Sequence, residues 1–197
     1  MDGVLPADPE TYHQIHSEID RLQRLVSDLQ ELSRVEAGAF QLHLTPVSPA
    51  SLIERIQSTL GLQFEDKNIQ LVIDVEPDLP DLLVDKDRII QVLTNLVGNA
   101  LQYTVSGGKV FVNVRRQKSE ILFTVKDSGI GISSEQLQYV FNRFYRTDKS
   151  RTRASGGSGI GLTIAKALVQ AHQGKIWAES DGEGKGSTFS FLIPLPN

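Results

Sequence analysis

The sequence predicts an α/β protein, a two-layer α+β sandwich in which three helices cover one face of a mixed sheet, preceded by one long helix. Strand-like runs occur at 69–75, 110–115, 121–127, 175–179 and 187–193. Helical periodicity marks 51–60, 87–103 and the stretch ending at 172. Adjacent strands joined by short turns, with the helices between them, suggest a mixed sheet covered on one face. Composition agrees: 40% hydrophobic and 22% charged residues in 197, with a formal charge of −4, describe an ordinary globular chain rather than a disordered one. The negative balance argues against general nucleic-acid binding. The absence of cysteine excludes disulfides, thiol chemistry and cysteine-held metals. No apolar run reaches the roughly 18 residues of a membrane span, and the opening Met1-Asp2-Gly3-Val4-Leu5-Pro6 carries no signal-peptide pattern.

Asp8-Pro9 starts a helix over 9–37, since Asp can cap and Pro is tolerated at the first helical position. Ile15, Ile19, Leu22, Val26 and Leu29 form a heptad-like seam, and Gly38 ends it. Such a helix is about 44 Å long at ~1.5 Å per residue, and it cannot bury its own stripe. Phe40–Leu44 alternates like a short strand, and Pro46 and Pro49 break the chain just after it. A helix at 51–60 and a strand at 69–75 come next, then a loop marked by Pro77 and Pro80. The helix 87–103 precedes the strands 110–115 and 121–127, and a short helix lies near 135–141. A basic stretch and Gly156-Gly157-Ser158-Gly159 lead into the last helix, and two strands close the pattern.

Several features invite a chemical reading. Asn95 and Asn99, at i and i+4, share one face of an otherwise apolar helix. They are either buried amides bonded to backbone or oxygen ligands for a hard cation and a phosphate. Asp127-Ser128-Gly129-Ile130-Gly131 comes directly after a strand. That is either a turn or a carboxylate brought with bare backbone against a flat ligand. An ionised carboxylate only accepts, so it suits an exocyclic amine such as that of adenine. Gly157-Ser158-Gly159-Ile160-Gly161 opens a helix, where backbone N–H groups and the helix N-terminus favour phosphate. The spacing matches neither the dinucleotide fingerprint nor the phosphate loop. Arg143, Arg146, Lys149, Arg151 and Arg153 against Asp148 leave residues 143–153 at +4, so the rest of the chain carries −8. Charge localised beside a glycine-rich helix start suits a polyphosphate. Gly182–Thr188 is a hairpin turn or a pocket wall.

In this order and combination, residues 40–196 resemble the ATP-binding domain of sensor histidine kinases of the GHKL superfamily. Asp87-Arg88 through Asn99-Ala100 is similar to the asparagine box, and Asp127–Gly131 to the first glycine box. Phe141–Arg146 is similar to the phenylalanine box, and Gly157–Gly161 and Gly184–Thr188 to the second and third glycine boxes. The resemblance implies an ATP and Mg²⁺ pocket under a mobile lid. Asp127 would read the adenine amine, with Gly129, Gly131 and Thr188 shaping the base pocket and Tyr103 and Lys149 also binding the nucleotide. Asn99 would hold Mg²⁺, with Asn95 directed toward the phosphates. Arg146 and the other lid cations would neutralise the γ-phosphate, and Gly157, Gly159 and Gly161 would supply backbone around the phosphates. Two departures stand out: Gln102 where many relatives place a cation, and Asn142 where Glu is common.

Residues 1–39 resemble the second helix of the family's dimerisation and phosphoacceptor hairpin, and 40–197 form the catalytic unit. His13, His16, His43 and His172 are succeeded by Gln, Ser, Leu and Gln, so none fits a phosphoacceptor motif. His172 reads as structural. The resemblance therefore implies a truncated hairpin and phosphate transfer to a histidine outside this chain, for relay to an Asp on a response-regulator receiver domain. The parent is expected to be a homodimer, an inner-membrane sensor with this part in the cytoplasm and no direct membrane contact from it. Related GHKL ATPases, an anti-sigma serine kinase and a non-catalytic nucleotide-sensing scaffold are the alternatives.

Overall fold

The computed structural model describes residues 41–145 and 159–196, together with positions 11, 12, 15, 16, 18, 19, 22, 23, 26, 27, 29, 30 and 33, all of them helical. Element order is β1 (Thr45–Val47), α1 (Pro49–Asp66), β2 (Gln70–Val75), β3 (Leu82–Val84), α2 (Lys86–Tyr103), β4 (Lys109–Gln117), β5 (Glu120–Asp127), α3 (Ser134–Leu137), α4 (Gly161–Ala171), β6 (Lys175–Glu179) and β7 (Thr188–Pro194).

The five-stranded sheet has the order β2-β4-β5-β7-β6. β2 runs parallel to β4 and every other pairing is antiparallel. The parallel pair needs a crossover, and the connection carrying β3 and α2 supplies it. Alternation decides the faces. Val110, Val112 and Val114 of β4, Ile121, Phe123 and Val125 of β5, and Phe189, Phe191 and Ile193 of β7 are buried. Phe123 and Phe191 stack at the middle of the sheet, ring centroids 4.6 Å apart. On α2 the buried set Ile89, Val92, Leu93, Leu96, Val97, Ala100 and Leu101 keeps helical spacing and seats the helix on this layer.

Two expectations shift. The strand expected at 40–44 lies instead at Thr45–Val47, where it pairs with β3 in a separate two-stranded antiparallel sheet. Its Pro46 is tolerated because a strand paired on one side only leaves half its backbone groups outside the ladder. The first helix of the domain runs from Pro49 to Asp66, longer than 51–60, because Pro49 occupies the first helical position and Gly61 does not interrupt it.

α2 and α4 lie against each other, and two polar ties, one at each end of α4, join it to the start and the middle of α2. Asp85, the N-cap of α2, donates its N–H to His172 Nε2 at 3.0 Å just past the end of α4. Asn95 Nδ2 donates to the Gly161 carbonyl at 2.9 Å, at the start of α4. The two helices are therefore antiparallel. His172 is buried, and its Nδ1 faces the Leu168 carbonyl at 2.8 Å, so both ring nitrogens are engaged as a neutral imidazole. Asp85 also accepts from Arg88 N–H and, through its other oxygen, from His43 N–H at 3.1 Å, which fastens the segment before β1.

Candidate nucleotide site

The end of β5, the last turns of α2 and the start of α4 surround a cavity of about 80 Å³. Asn99 and Tyr103 reach it from α2, one turn apart on a single face. Asp127 stands at the end of β5, Leu162 comes from α4, and Ser187 and Phe189 come from β7 and its approach. Ile130, Gly131, Ile132, Val140 and Tyr145 complete a largely apolar wall. A narrow apolar slot with a few directed polar groups suits a flat aromatic ligand.

Asp127 is 4% exposed and surrounded by donors. Its carboxylate accepts from Gly129 N–H at 2.8 Å, from Ser187 N–H at 3.3 Å and from the Ser187 hydroxyl. A carboxylate has about four acceptor positions, so one remains, on a residue that lines the cavity. A buried carboxylate with that position unfilled needs a donor, and an aromatic amine provides one. Among the described residues, the Asn99 carboxamide has no hydrogen-bond partner and faces the same space.

The glycines act through backbone proximity. A Cβ at Gly129 would collide with the Tyr103 carbonyl oxygen, and one at Gly131, where φ is +68°, with the Gly182 carbonyl. Ile130 N–H donates to that Tyr103 carbonyl at 3.2 Å, fixing the glycine segment against the end of α2. Gly184 N–H donates to Ile130 O at 2.7 Å and Gly186 N–H to Gly129 O at 3.1 Å. Segments 129–132 and 182–186 are thus laced backbone to backbone, which side chains at 129, 131 or 186 would prevent.

Of the residues singled out from sequence, the structure brings Asn99, Tyr103, Asp127 and Gly131 to the cavity wall, with Gly129 immediately behind. Asn95 lies one turn earlier on α2, and its amide is engaged with Gly161, at which a Cβ would come within 3.3 Å of the Asn95 Oδ1. Gly159 is described, with φ +72°. Arg146, Lys149 and Gly157 lie outside the described residues. Thr188 is not among the described wall residues; its neighbours Ser187 and Phe189 are. Alternation along β7 places Thr188 on the other face, in register with the exposed Lys126. Sequence reasoning missed Ser187 as the residue that holds Asp127, although the strand period through Phe189, Phe191 and Ile193 points to it.

Residues 84–197 match the family of histidine kinase-, DNA gyrase B-, and HSP90-like ATPases. Sensor histidine kinase WalK of Bacillus subtilis is 42% identical over 184 residues, covering 90% of this chain and 29% of that protein. Full-length ShkA, solved in complex with AMPPNP, superposes with a TM-score of 0.83 at 28% identity, over 98% of this chain and 40% of that one. Histidine kinase ThkA, solved in complex with response regulator protein TrrA, gives a TM-score of 0.77 at 27% identity, over 97% of this chain and 53% of that one. The chain spans less than half the length of the curated relatives it matches first. Among the described residues, no helix is long and apolar enough to cross a membrane. On its sequence match and its architecture, the chain belongs to the histidine kinase-, DNA gyrase B-, and HSP90-like ATPase family, and its curated relatives are sensor histidine kinases.

Proposed function

We propose that this chain binds ATP with Mg²⁺ and serves as the catalytic part of a sensor histidine kinase. The observation that carries the reading is Asp127: buried, held by three donors, with one acceptor position to spare, in the wall of an apolar slot. The adenine amine suits that position, and the lining residues Ile130, Ile132 and Phe189 offer apolar surface to the ring. Asn99 supplies a carbonyl oxygen of the type that hard divalent cations take. Bound there, Mg²⁺ would offset phosphate charge. Gly159 and Gly161, at the start of α4, present backbone toward the phosphates; Arg146, Lys149 and Gly157 join them. Asn95 secures that helix start through Gly161. Positioning and electrostatics of this kind are what phosphoryl transfer needs.

The γ-phosphate goes to a histidine on the phosphoacceptor helix of the same kinase and then to an aspartate of a receiver domain. Residues 1–39 are the second helix of that hairpin, and the working kinase is a dimer. In support, AMPPNP and a response regulator accompany the two structural relatives. The test is calorimetric titration with ATP, with and without Mg²⁺, on the chain and on Asn99→Ala. Magnesium-dependent binding lost in the variant supports the reading. No binding by the unaltered chain overturns it and favours a non-catalytic scaffold.

A further inference from the structure

Ser180 is not among the residues that line the cavity, yet its hydroxyl joins backbone at 132, 182 and 186, beside or behind its wall. It accepts from Ile132 N–H at 3.0 Å and from Gly182 N–H at 3.3 Å. It donates to the Gly186 carbonyl at 2.6 Å, with the Gly182 carbonyl a more distant alternative at 3.3 Å. One donor and two acceptor positions are all a serine hydroxyl has, and here each is used.

The stretches it joins are the two sides of the slot. Ile132 belongs to the wall that begins at Asp127. Gly186 precedes Ser187, whose hydroxyl and N–H hold the Asp127 carboxylate. Between them lies a loop with Gly182, Gly184 and Gly186 all at positive φ. Glycine-rich backbone is the freest in the chain, so the separation of the walls depends on whatever pins it. Two backbone hydrogen bonds, from Gly184 and Gly186, pin the loop's middle and end. Ser180 pins its base and bonds both walls from outside the cavity, as Asp127 does from within it.

We propose that Ser180 is a positioning residue for the nucleobase slot, setting its width and so the preference for adenine. The proposal rests on the reading of this cavity as a nucleotide site. Without the hydroxyl, Ile132 N–H and the Gly186 carbonyl lose a shared partner. The wall at 186–187 then keeps its backbone bonds to 129–130 but loses the tie to Ile132, so the slot is less tightly set where Ser187 meets Asp127. The phosphate end of the site, built on α2 and α4, is untouched.

Ser180→Ala, Ser180→Thr and the unaltered chain are titrated with ATP, GTP and inorganic tripolyphosphate, all with Mg²⁺, and each protein is melted without ligand. The expected result is an ATP affinity about tenfold weaker in Ser180→Ala, a matching loss of preference over GTP, and tripolyphosphate affinity within about twofold of the original. Ser180→Thr, which keeps the hydroxyl, stays within roughly threefold for ATP. If Ser180→Ala does not fold, Ser180→Cys fills the volume with a weak donor and takes its place in the same titrations. A folded variant that binds ATP as the unaltered chain does overturns the proposal, and so does an equal loss for ATP and tripolyphosphate. If the unaltered chain binds no ATP, the nucleotide reading fails and this one falls with it. Equal ATP affinity in the unaltered chain and in Ser180→Ala removes the positioning role alone.

Discussion

Asp127 shows how much one side chain depends on its neighbours. Replacing it with Asn keeps the shape but turns an acceptor into a donor that faces the donors Gly129 and Ser187. Asp127→Asn is expected to weaken ATP binding by more than about tenfold and to cost ~1–3 kcal/mol of stability. Calorimetry and a urea melt read the two effects separately. Gly131→Ala places a Cβ against the Gly182 carbonyl at a φ that disfavours it. It should abolish measurable ATP binding in the same calorimeter while the sheet core stays folded by circular dichroism. Asp127, Gly131 and Asn99 were legible as residue types because their chemistry is local: a carboxylate and glycines at a strand end, an amide on a helix face. Ser187 was less so. Its neighbour Thr188 has the same chemistry, and only the direction each faces separates them. Ser180 carried no signal, since the two partners that make it a link between the walls lie 6 and 48 residues away along the chain.

Helices and long strands were legible because their periodicity is written in one stretch of sequence. β3 and the true position of β1 were not. Each is three residues long, and what makes them strands is each other, across the whole of α1 and β2. The pairing of α2 with α4 is likewise a long-range matter, and its two polar ties can be tested one at a time. His172→Ala leaves the buried Asp85 N–H and the Leu168 carbonyl without the imidazole. The expected cost is ~1–3 kcal/mol, seen as a lower urea midpoint at unchanged slope. Asn95→Ala cuts the other tie. It should weaken binding of ATP and tripolyphosphate alike, because it loosens the helix start rather than the base slot.

At the scale of the whole molecule, the core and the N-terminal helical segment behave differently. Phe123→Ala removes one of two stacked rings from the sheet's centre and is expected to cost ~3–5 kcal/mol, measured by denaturation. The described residues Ile15, Ile19, Leu22, Val26 and Leu29 are instead 42–54% exposed at heptad-like spacing. A stripe of that kind is covered by another helix. Light scattering at rising concentration should show a mass increase. Ile19→Glu with Val26→Glu should suppress it and leave ATP affinity within about twofold. A constant monomer mass in the unaltered chain would count against self-association.

The hydrogen bonds that orient Asp127 have a temporal consequence. Ser187 lies 60 residues downstream of it, across the β5–β7 pairing. A chain still being synthesised, or one refolding with β7 undocked, holds the carboxylate with only the local Gly129 donor. Contacts this distant in sequence form late and slowly. Nucleotide capture therefore reports a stage of folding that follows the docking of β7, and a fluorescent ATP analogue added to refolding protein should light up after the first helices have formed rather than with them.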